Sequence, residues 1–467
     1  MTRISSGRPD LPLLIGLFGG EISLVALALG LHAKGDRPFV PFLRSTGGEL
    51  TVAALLLGGI AAAVVVGRLR RGPAVGGWLT LGLNAVSVAG TLAAAELAVR
   101  ILTVATWAGP MFAGTLLLPR DWAQVAARHR DLAGRASLHG SYFIFDDRLG
   151  WTVGPSRRDA SGLYFSSLEG LRSPQPGVSL AERRAQQRVA LVGDSFTFGL
   201  ELPWEDTWAA QLQAELGEDT QVLNFGVDGY GVDQAFLRYQ RDARAWHPDV
   251  VVLGLVDHDF ERTMGVYAFL TFPQSQLPFS KPRFVADDGL ELLNTPVPAP
   301  AAIFGAGSVR ELPFIEYDRR YRSSDWQWRF YHASSAVRFL LSRFPRWTAP
   351  GRWTSNEQLE TVNRRLLRSF VDLAQREGST PVLLYLPGPS RLQAASPAVE
   401  ESLAERLARA EGLPIVDATP CLTEVPGPER FGILHYSRRA SAAVVKCLLG
   451  PLRERLGAAR SRLRAGS

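Results

Sequence analysis

The stretch Val189-Ala190-Leu191-Val192-Gly193-Asp194-Ser195-Phe196-Thr197-Phe198-Gly199 decides the fold of this chain of 467 residues. Its apolar first half ends at Gly-Asp-Ser, and an amphipathic segment begins near Trp204. We interpret this order as a buried strand, a tight turn and a helix, with Ser195 at the carboxyl end of the strand. Ligands of open α/β sheets bind at that edge. A serine there is either a helix N-cap or a nucleophile beside free helical N–H groups that would stabilise an oxyanion.

The alternation of strands and helices continues toward the C-terminus and predicts an α/β fold. The predicted strands are 188–193, 221–225, 248–255, 381–386 and 413–417, and the predicted helices are 204–216, 233–246, 356–377, 397–411 and 437–449. Such alternation implies right-handed βαβ units and a parallel sheet covered on both faces. The unbroken apolar run at 250–253 fits a strand that is buried on both sides. Gly450-Pro451 is expected to stop or kink the last helix.

Four motifs of the chain resemble those of the SGNH, or GDSL-like, hydrolase family of the membrane-anchored bacterial type. The first is Gly-Asp-Ser at 193–195, and the second is 222–231, which runs Val-Leu-Asn-Phe-Gly-Val-Asp-Gly-Tyr-Gly. The third, 256–260, has His258 where the family has asparagine. The fourth, 432–435, keeps the histidine of Asp-x-x-His but begins with glycine. The resemblance covers roughly residues 142–456. It implies a three-layer, flavodoxin-like sandwich with a five-stranded parallel sheet and activity on ester bonds.

The resemblance implies that Ser195 is the nucleophile and His435 the base. The Gly-x-Ser-x-Gly elbow of α/β-hydrolases is absent around Ser195, which disfavours that alternative. The supporting acid would fall at position 432, but Gly432 has no side chain that could orient an imidazole. Three alternatives therefore remain: a Ser–His dyad, a substitute acid such as Glu429, or a backbone carbonyl that holds the ring.

The oxyanion cradle implied by the resemblance uses the backbone amides of Ser195 and Gly229 together with a side-chain amide. His258 occupies the asparagine position, and an imidazole N–H donates the same hydrogen bond if its tautomer allows. Asp194 and Asp259 are interpreted as supporting residues that orient turns rather than as catalytic groups. Two neighbouring glycines are alternatives for the second backbone amide: Gly226 and Gly231.

Three long apolar runs near the N-terminus, 11–32, 50–66 and 78–102, predict membrane-spanning helices. Five arginines flank one side of the predicted spans and three basic residues flank the other, which favours a cytoplasmic N-terminus and an extracytoplasmic C-terminal domain. The two groups are Arg3, Arg8, Arg68, Arg70 and Arg71 against Lys34, Arg37 and Arg44. Glu96 and Arg100 are expected to form an interfacial pair, and the role of Glu21 is open.

The sequence predicts three regions. Residues 1–107 form a membrane region, 108–180 a linker with a small β-rich pre-domain, and 181–460 the hydrolase-like domain with an insertion at 260–355. The insertion is rich in proline and aromatic residues, and its position after the third strand predicts a lid or a binding surface. The only cysteines, Cys421 and Cys447, are either one disulfide bond or two buried thiols.

The net charge of +6 comes almost wholly from arginine, and no aromatic–basic interleaving accompanies it, so we expect no nucleic-acid partner. A basic surface near an anionic membrane explains the charge. No Cys/His cluster has zinc-ligand spacing, and we expect neither a metal nor a cofactor. The predicted function is a membrane-anchored serine esterase or acyltransferase that acts on an ester, such as an O-acetyl group, of a cell-envelope glycan or lipid. The alternative is a catalytically impaired binding or accessory protein of envelope polysaccharide modification.

Overall fold

The computed structural model describes residues 10–70, 77–136, 141–275, 277–393 and 401–465. The chain forms two compact units. The first joins Met1–Val125 to Arg322–Pro350, and the second joins Ala126–Tyr321 to Gly351–Ser467. The predicted insertion at 260–355 is therefore shared between the units. Three arginines used in the orientation argument, Arg3, Arg8 and Arg71, lie outside the described residues.

The first unit contains three long helices, Leu11–Lys34, Thr46–Leu69 and Gly77–Leu102, of 24, 24 and 26 residues. By length and composition, each is able to cross a membrane. Its other elements are the short helix Phe39–Leu43, the antiparallel strands Val104–Thr106, Gly109–Phe112 and Thr115–Leu116, the 3-10 turns Ser323–Trp326 and Phe330–Ala333, and the helix Ser335–Arg343.

Small residues spaced by seven positions bring the first two long helices together. Gly16, Ser23 and Gly30 share one face of the first helix. The Ser23 hydroxyl donates to the Ala54 carbonyl at 2.5 Å, and a Cβ atom at Gly30 would lie 2.0 Å from the Thr51 hydroxyl. Small residues at these positions let the two helix backbones approach closely, as is common between apolar helices.

The ionisable side chains within the long helices find partners inside the first unit. The Asn84 amide of the third long helix donates to the Glu21 carboxylate at 3.5 Å. Glu96 and Arg100 form the ion pair that their spacing predicts. Glu21 therefore faces the neighbouring helix, where a polar partner offsets its removal from water.

The second unit is built on a five-stranded parallel sheet, as predicted. Its strands are β1 (Gln187–Val192), β2 (Thr220–Asn224), β3 (Val250–Leu255), β4 (Thr380–Tyr385) and β5 (Ile415–Asp417). Their order across the sheet is β5-β4-β3-β1-β2, and each neighbouring pair is parallel. The chain turns outward in opposite directions from β1, so the loops after β1 and β3 border the crevice where open α/β sheets bind ligands.

Helices cover both faces of the sheet and complete the predicted three-layer sandwich. Ala190 and Val192 of β1 point into one core, whereas Val189 and Leu191 point into the other. The first core is closed by the helices Val232–Arg241, Asn356–Arg376 and Leu403–Ala410, and the second by Trp208–Leu216 and Arg438–Ala465.

The prediction that Gly450-Pro451 ends the last helix is wrong as a stop, because the helix Arg438–Ala465 continues through Pro451. A proline inside a helix removes one backbone hydrogen bond. Leu452 and Leu456, just beyond it, are buried in the core beneath the sheet. Their burial offsets the lost bond and keeps the helix continuous.

Two hairpins precede the sheet and pack within the second unit. They pair Phe143–Asp146 with Gly150–Val153 and Phe165–Ser166 with Arg172–Ser173. The Trp151 indole donates to the Asp228 carbonyl at 2.9 Å, and the Tyr230 hydroxyl donates to the Trp151 carbonyl at 2.6 Å. The first hairpin is thereby fixed to the loop that follows β2.

The remaining elements of the second unit are short. They are the hairpin Arg283–Ala286 and Leu290–Leu293, the helices Ser195–Phe198, Asp257–Arg262, Ala268–Thr271, Pro300–Gly305, Pro389–Leu392 and Thr419–Thr423, and the 3-10 turns Trp204–Asp206, Ala243–Trp246, Val309–Glu311, Ile315–Tyr317, Arg352–Thr354 and Gly427–Glu429. The helix Trp122–Ala136 spans the boundary between the two units along the chain.

Cys421 and Cys447 form a disulfide bond, which decides between the two alternatives left by the sequence. The bond joins the helix Thr419–Thr423 to the last helix across 26 residues. The loop that carries His435 lies within the closed segment. The bond therefore limits how far this loop separates from the sheet when the chain opens.

We expect the double substitution Cys421→Ser/Cys447→Ser to lower the free energy of unfolding by about 3 kcal/mol, because a closed loop of this length restricts the unfolded chain. Urea titration of the detergent-solubilised chain measures the effect. Dithiothreitol should lower the unfolding midpoint of the unsubstituted chain and leave that of the double variant unchanged. An unsubstituted midpoint that is insensitive to the reductant contradicts the expectation.

Candidate active site

The turn after β1 presents Ser195 at the carboxyl edge of the sheet. Ser195 begins the helix Ser195–Phe198, and Asp194 caps this helix by accepting a hydrogen bond from the Phe196 N–H at 2.9 Å. Gly199 ends the helix in a left-handed conformation. Ser195 is both the first residue of a helix and nearly inaccessible to solvent, with 1% of its surface exposed.

The structure brings Ser195 and His435 together. The His435 Nε2 atom lies 2.9 Å from the Ser195 Oγ atom. The Tyr436 hydroxyl donates to the Pro387 carbonyl at 2.9 Å and holds the histidine loop against the segment that follows β4. The Phe196 ring lies 4.9 Å from the imidazole, measured between ring centroids. The two residues are 240 positions apart in the chain and within hydrogen-bond distance in the fold.

The third partner of this arrangement is Glu201, which the sequence analysis missed. Its Oε1 atom lies 2.9 Å from the His435 Nδ1 atom. Its Oε2 atom accepts hydrogen bonds from the Ile433 N–H at 2.7 Å, the Leu434 N–H at 3.1 Å and the His435 N–H at 3.3 Å. One carboxylate therefore orients the imidazole and also fixes the backbone on which the imidazole is mounted.

Glu201 occupies the space in which a side chain at position 432 would lie. A Cβ atom built on Gly432 would be 2.8 Å from the Glu201 Oε2 atom. The family pattern places its acid at this position, and here a carboxylate reaches the same volume from the turn after β1. Glu429 does not substitute for the missing acid, because it pairs with Arg439 and Glu201 contacts the Nδ1 atom instead.

The charge state of Glu201 sets the tautomer of His435. Partial burial raises the pKa of Glu201, but the hydrogen bonds from the His435 ring and from three backbone N–H groups outweigh it and hold the pKa below its usual value. Because the ionised carboxylate has no proton to donate, the Nδ1 atom of His435 carries the hydrogen. The Nε2 lone pair then faces the Ser195 hydroxyl, as a general base requires.

Tyr164, the residue just before the second hairpin, positions Glu201. The Tyr164 hydroxyl accepts a hydrogen bond from the Glu201 N–H at 3.0 Å. The φ angle of Glu201 is 71°, in the left-handed region that residues with a side chain seldom adopt. This unfavourable conformation is retained where surrounding contacts over-determine it. The segment before the sheet thus contributes a positioning residue to the site.

Beneath Ser195 lies a cluster of charged side chains formed by Asp194, Asp259, Arg262 and His258. The Arg262 guanidinium donates to Asp194 at 3.2 Å and to Asp259 at 2.9 Å. Burial raises the pKa of Asp194, but the contact with His258 and the charge of Arg262 bring it below its usual value. Burial and the neighbouring Asp194 charge raise the pKa of Asp259. The guanidinium therefore contacts two carboxyl groups whose pKa values are shifted in opposite directions.

Asp194 competes weakly with His435 for the serine proton. The Ser195 Oγ atom lies 3.2 Å from the Asp194 carboxylate, against 2.9 Å from the His435 ring. Arg262 and the Phe196 N–H already engage the Asp194 oxygens. The shorter contact and the freer acceptor both direct the hydroxyl proton toward His435.

The His258 ring faces the carboxyl groups of Asp194 and Asp259. Its Nε2 atom lies 3.4 Å from Asp194 and 3.8 Å from Asp259, and 43% of its side chain is exposed. Since Nε2 faces the carboxylates, only the Nδ1 atom remains to donate to a substrate oxygen. Asp194, His258 and Asp259 present ligand atoms within 4.8 Å of one another. The Arg262 guanidinium lies between the two carboxylates and supplies the positive charge that a metal ion would otherwise bring.

The three glycines of the second motif have different surroundings. Gly229 has a φ of 80°, and a Cβ atom there would lie 3.4 Å from both the Trp151 and Phe272 rings. Gly226 lies close to the helix Ser195–Phe198, since a Cβ atom built there would be 2.5 Å from the Phe198 nitrogen. Gly231 caps the next helix. Of the three glycines, Gly229 is therefore the one that lies next to the Trp151 and Phe272 rings.

Three residues that matter to this geometry escaped the sequence analysis: Glu201, Arg262 and Tyr164. Glu201 carries one usable signal, since it is the first acid after the glycine that ends the helix Ser195–Phe198. The absence of a side chain at Gly432 is the complementary signal, because it leaves room for an acid from elsewhere. Neither signal is sufficient alone, and no periodicity marks Arg262 or Tyr164.

No family model and no curated protein matches the chain. Several solved structures are similar over a little more than half of it. TesA is 16% identical and covers 58% of this chain and 99% of its own, with a TM-score of 0.31. A lipolytic protein of the G-D-S-L family from Desulfitobacterium hafniense is 14% identical (56% and 97%, TM-score 0.28), and the acetylxylan esterase Axe2 from Geobacillus stearothermophilus is 12% identical (57% and 93%, TM-score 0.31). These neighbours include the GDSL hydrolases that the motifs resemble, but similarity this low supports no argument about function.

We expect Glu201→Ala to lower kcat for p-nitrophenyl acetate by about 10³- to 10⁴-fold, because the imidazole loses both its partner at Nδ1 and the anchor of its loop. Stopped assays of the purified variants measure the loss. Loss of less than about tenfold would show that His435 needs no acid.

A pair of substitutions tests whether a carboxylate at this position is needed, whichever residue supplies it. Glu201→Gly relieves the left-handed strain and empties that space, and adding Gly432→Asp returns a carboxylate to it from the other side. We expect the double variant to recover part of the activity that Glu201→Gly loses, whereas Gly432→Asp alone should be impaired by crowding and like charge. A double variant no better than Glu201→Gly contradicts this assignment.

Proposed function

We propose that this protein is a membrane-anchored serine esterase or acyltransferase that acts on an ester of a cell-envelope glycan or lipid, an O-acetyl group being one candidate. The observation that carries the proposal is the continuous contact from Ser195 through His435 to Glu201, with 2.9 Å at each step. A nucleophile, a base and an orienting acid in this order are the groups that acyl transfer requires.

The contacts support a two-step reaction. His435 takes the Ser195 hydroxyl proton at Nε2 while the serine oxygen bonds to the acyl carbon of the ester. The tetrahedral intermediate collapses, its bond to the alcohol oxygen breaks, and the alcohol leaves with the proton from His435. Water or a second alcohol then attacks the acyl-serine, again through His435, and releases an acid or a new ester. Glu201 stabilises the imidazolium that forms in each step.

The oxyanion would be met by backbone and side-chain donors at the same edge of the sheet. The Ser195 N–H belongs to the first turn of a helix, where amide groups lack helical partners. Gly229 follows β2, and His258 and Arg262 follow β3. His258 replaces the asparagine of the family pattern, and its Nδ1–H group would donate the hydrogen bond that the asparagine amide otherwise donates.

The alternative, a catalytically impaired binding protein, was suggested by Gly432 and His258. The absence of an acid at Gly432 no longer argues for an impaired protein, because Glu201 contacts His435 in place of the missing aspartate. His258 remains a departure from the family pattern. The enzymatic proposal is therefore favoured by the geometry of the Ser195 side chain and its two partners.

Two apolar side chains beside His435 support a lipid-like substrate. Ile433 is 86% exposed and Leu434 is 62% exposed. Their backbone N–H groups are held by Glu201, so the side chains project from a fixed loop next to the base. Exposed aliphatic side chains at the rim of a site favour contact with hydrocarbon. We propose that they contact the acyl or lipid part of the ester.

We further propose that the three long helices cross the membrane with the N-terminus inside, which places the second unit outside the cytoplasm. The basic residues that flank the spans support this orientation. The bond between Cys421 and Cys447 supports it independently, because disulfides persist in oxidising compartments.

Fluorophosphonate labelling tests the nucleophile. We expect a fluorescent fluorophosphonate to label the intact chain covalently and to leave Ser195→Ala unlabelled, because only an activated serine displaces the leaving group from phosphorus. In-gel fluorescence after denaturation measures the adduct. Ser441→Ala, a buried serine of the last helix, is the matched control and should label normally. Equal labelling of Ser195→Ala would refute the proposal.

The chain length of the ester tests the substrate class. We expect Ile433→Ser/Leu434→Ser to lower kcat/KM for p-nitrophenyl decanoate by about tenfold, from apolar contact worth about 1.4 kcal/mol, and to leave p-nitrophenyl acetate nearly unaffected. Leu168→Ser, at an exposed position of the β-rich segment, is the matched control. An equal loss on both esters would assign Ile433 and Leu434 to loop structure instead.

A further inference from the structure

The segment Arg322–Pro350 leaves the second unit and packs on the long helices of the first. Glu96, near the end of the third long helix, accepts hydrogen bonds from the Ser335 N–H at 3.0 Å and the Ala336 N–H at 2.9 Å. A carboxylate at a helix N-terminus meets unpaired amides and the positive end of the helix dipole. The helix that begins at Ser335 is thereby attached to that end of the third long helix.

A second attachment joins the segment to the end of the first long helix. The Trp347 N–H donates to the Ala33 carbonyl at 3.2 Å, and the Trp347 carbonyl accepts from the Asp36 N–H at 3.3 Å. The first and third long helices begin side by side, since the Asp10 N–H donates to the Thr80 hydroxyl at 2.8 Å. They therefore run in the same direction, and both attachments lie at one end of the bundle.

Large apolar side chains are exposed at this end. Phe330 is 87% exposed and Trp328 is 62% exposed. After the first long helix, Phe39 is 63% exposed and Val40 is 64% exposed. Phe39 and Val40 belong to the short helix that joins the first two long helices. Aromatic side chains are enriched where membrane-spanning helices reach the headgroups.

Basic side chains accompany these aromatic residues in the same segment. Four of its arginines are exposed: Arg322, Arg329, Arg343 and Arg346, of which Arg346 pairs with Asp36 at 3.4 Å. Helix Ser335–Arg343 has no buried residue. A short, partly buried helix that is accompanied by exposed arginines and exposed aromatic residues is typical of an element that lies in the plane of a bilayer interface.

We propose that Arg322–Pro350 is an interfacial membrane element, with Trp328 and Phe330 at the boundary between acyl chains and headgroups and its arginines on anionic headgroups. The partner is an anionic lipid surface. This inference rests on the proposed membrane crossing and is independent of the esterase chemistry. It also gives part of the insertion a role: the segment that interrupts the hydrolase fold returns to the membrane and contacts it.

Fluorescence quenching tests the proposal on the full chain in vesicles of phosphatidylcholine and phosphatidylglycerol. The two native cysteines form a disulfide, so Phe330→Cys adds a single reactive thiol for the environment-sensitive dye NBD. We expect a shift of NBD emission to shorter wavelength, quenching by lipids that carry a doxyl spin label near the headgroup, and little quenching by aqueous iodide. Quenching by iodide without quenching by doxyl lipid overturns the proposal. Protection from both quenchers, which would indicate a protein partner, also overturns it.

A probe at Leu56→Cys separates this inference from the membrane crossing itself. Leu56 lies within the second long helix and is 66% exposed. If a doxyl label deep in the acyl chain quenches the Leu56 probe, and a label near the headgroup does not quench the Phe330 probe, the helices cross the membrane and only the interfacial proposal fails. If neither probe is quenched, the membrane crossing fails as well.

The charge of the lipid tests the arginines. We expect spin-labelled phosphatidylglycerol to quench the Phe330 probe more than spin-labelled phosphatidylcholine, because basic side chains near the membrane surface attract anionic lipids. The ratio of the two quenching values should fall toward one in Arg329→Gln/Arg343→Gln. A ratio of one before substitution would refute the role given to the arginines.

Discussion

The candidate site depends on the hydrogen bonds that the Glu201 carboxylate accepts. This carboxylate accepts hydrogen bonds from three consecutive backbone N–H groups and lies 2.9 Å from the His435 ring. Hydrogen bonds to charged groups each contribute about 1.5 to 3 kcal/mol, whereas an exposed pair such as Glu429 and Arg439 contributes about 1 kcal/mol or less. This difference explains why Glu201, and not Glu429, holds the loop before the last helix, although Glu429 is nearer in the sequence.

This dependence changes what the site needs from the chain. In the family pattern, the acid and the base are three residues apart on one loop, so local geometry alone orients the imidazole. Here the acid comes from the turn after β1, which also carries Ser195. The distance between Ser195 and Glu201 is therefore set by one short turn, and the distance between that turn and His435 is set by the carboxylate itself. Tyr164, just before a hairpin that precedes the sheet, holds this turn from the outside.

Neither of the two units is a single continuous stretch of the chain. The hairpins at 143–173 precede the sheet and yet belong to the unit that contains it. The segment Arg322–Pro350 interrupts the hydrolase fold and yet packs on the apolar helices at the N-terminus. Glu96 illustrates the reason. An acid in an apolar helix needs donors to offset the loss of water. The returning segment supplies two backbone N–H groups, and Arg100 of the same helix supplies a guanidinium.

The sequence by itself determined the order of the strands along the chain and the three apolar helices, because hydrophobic periodicity and turn residues report on nearest neighbours in the chain. It singled out Ser195 and His435 only through motifs that resemble those of the SGNH family. It also predicted the pair of Glu96 and Arg100, whose spacing places both on one helix face. Only the tertiary structure decided that Glu201 fills the space above Gly432, that the cysteines are bonded and that the last helix passes through Pro451. Each of these depends on contacts between segments far apart in the chain, and local patterns carry no information about which distant group reaches a given space.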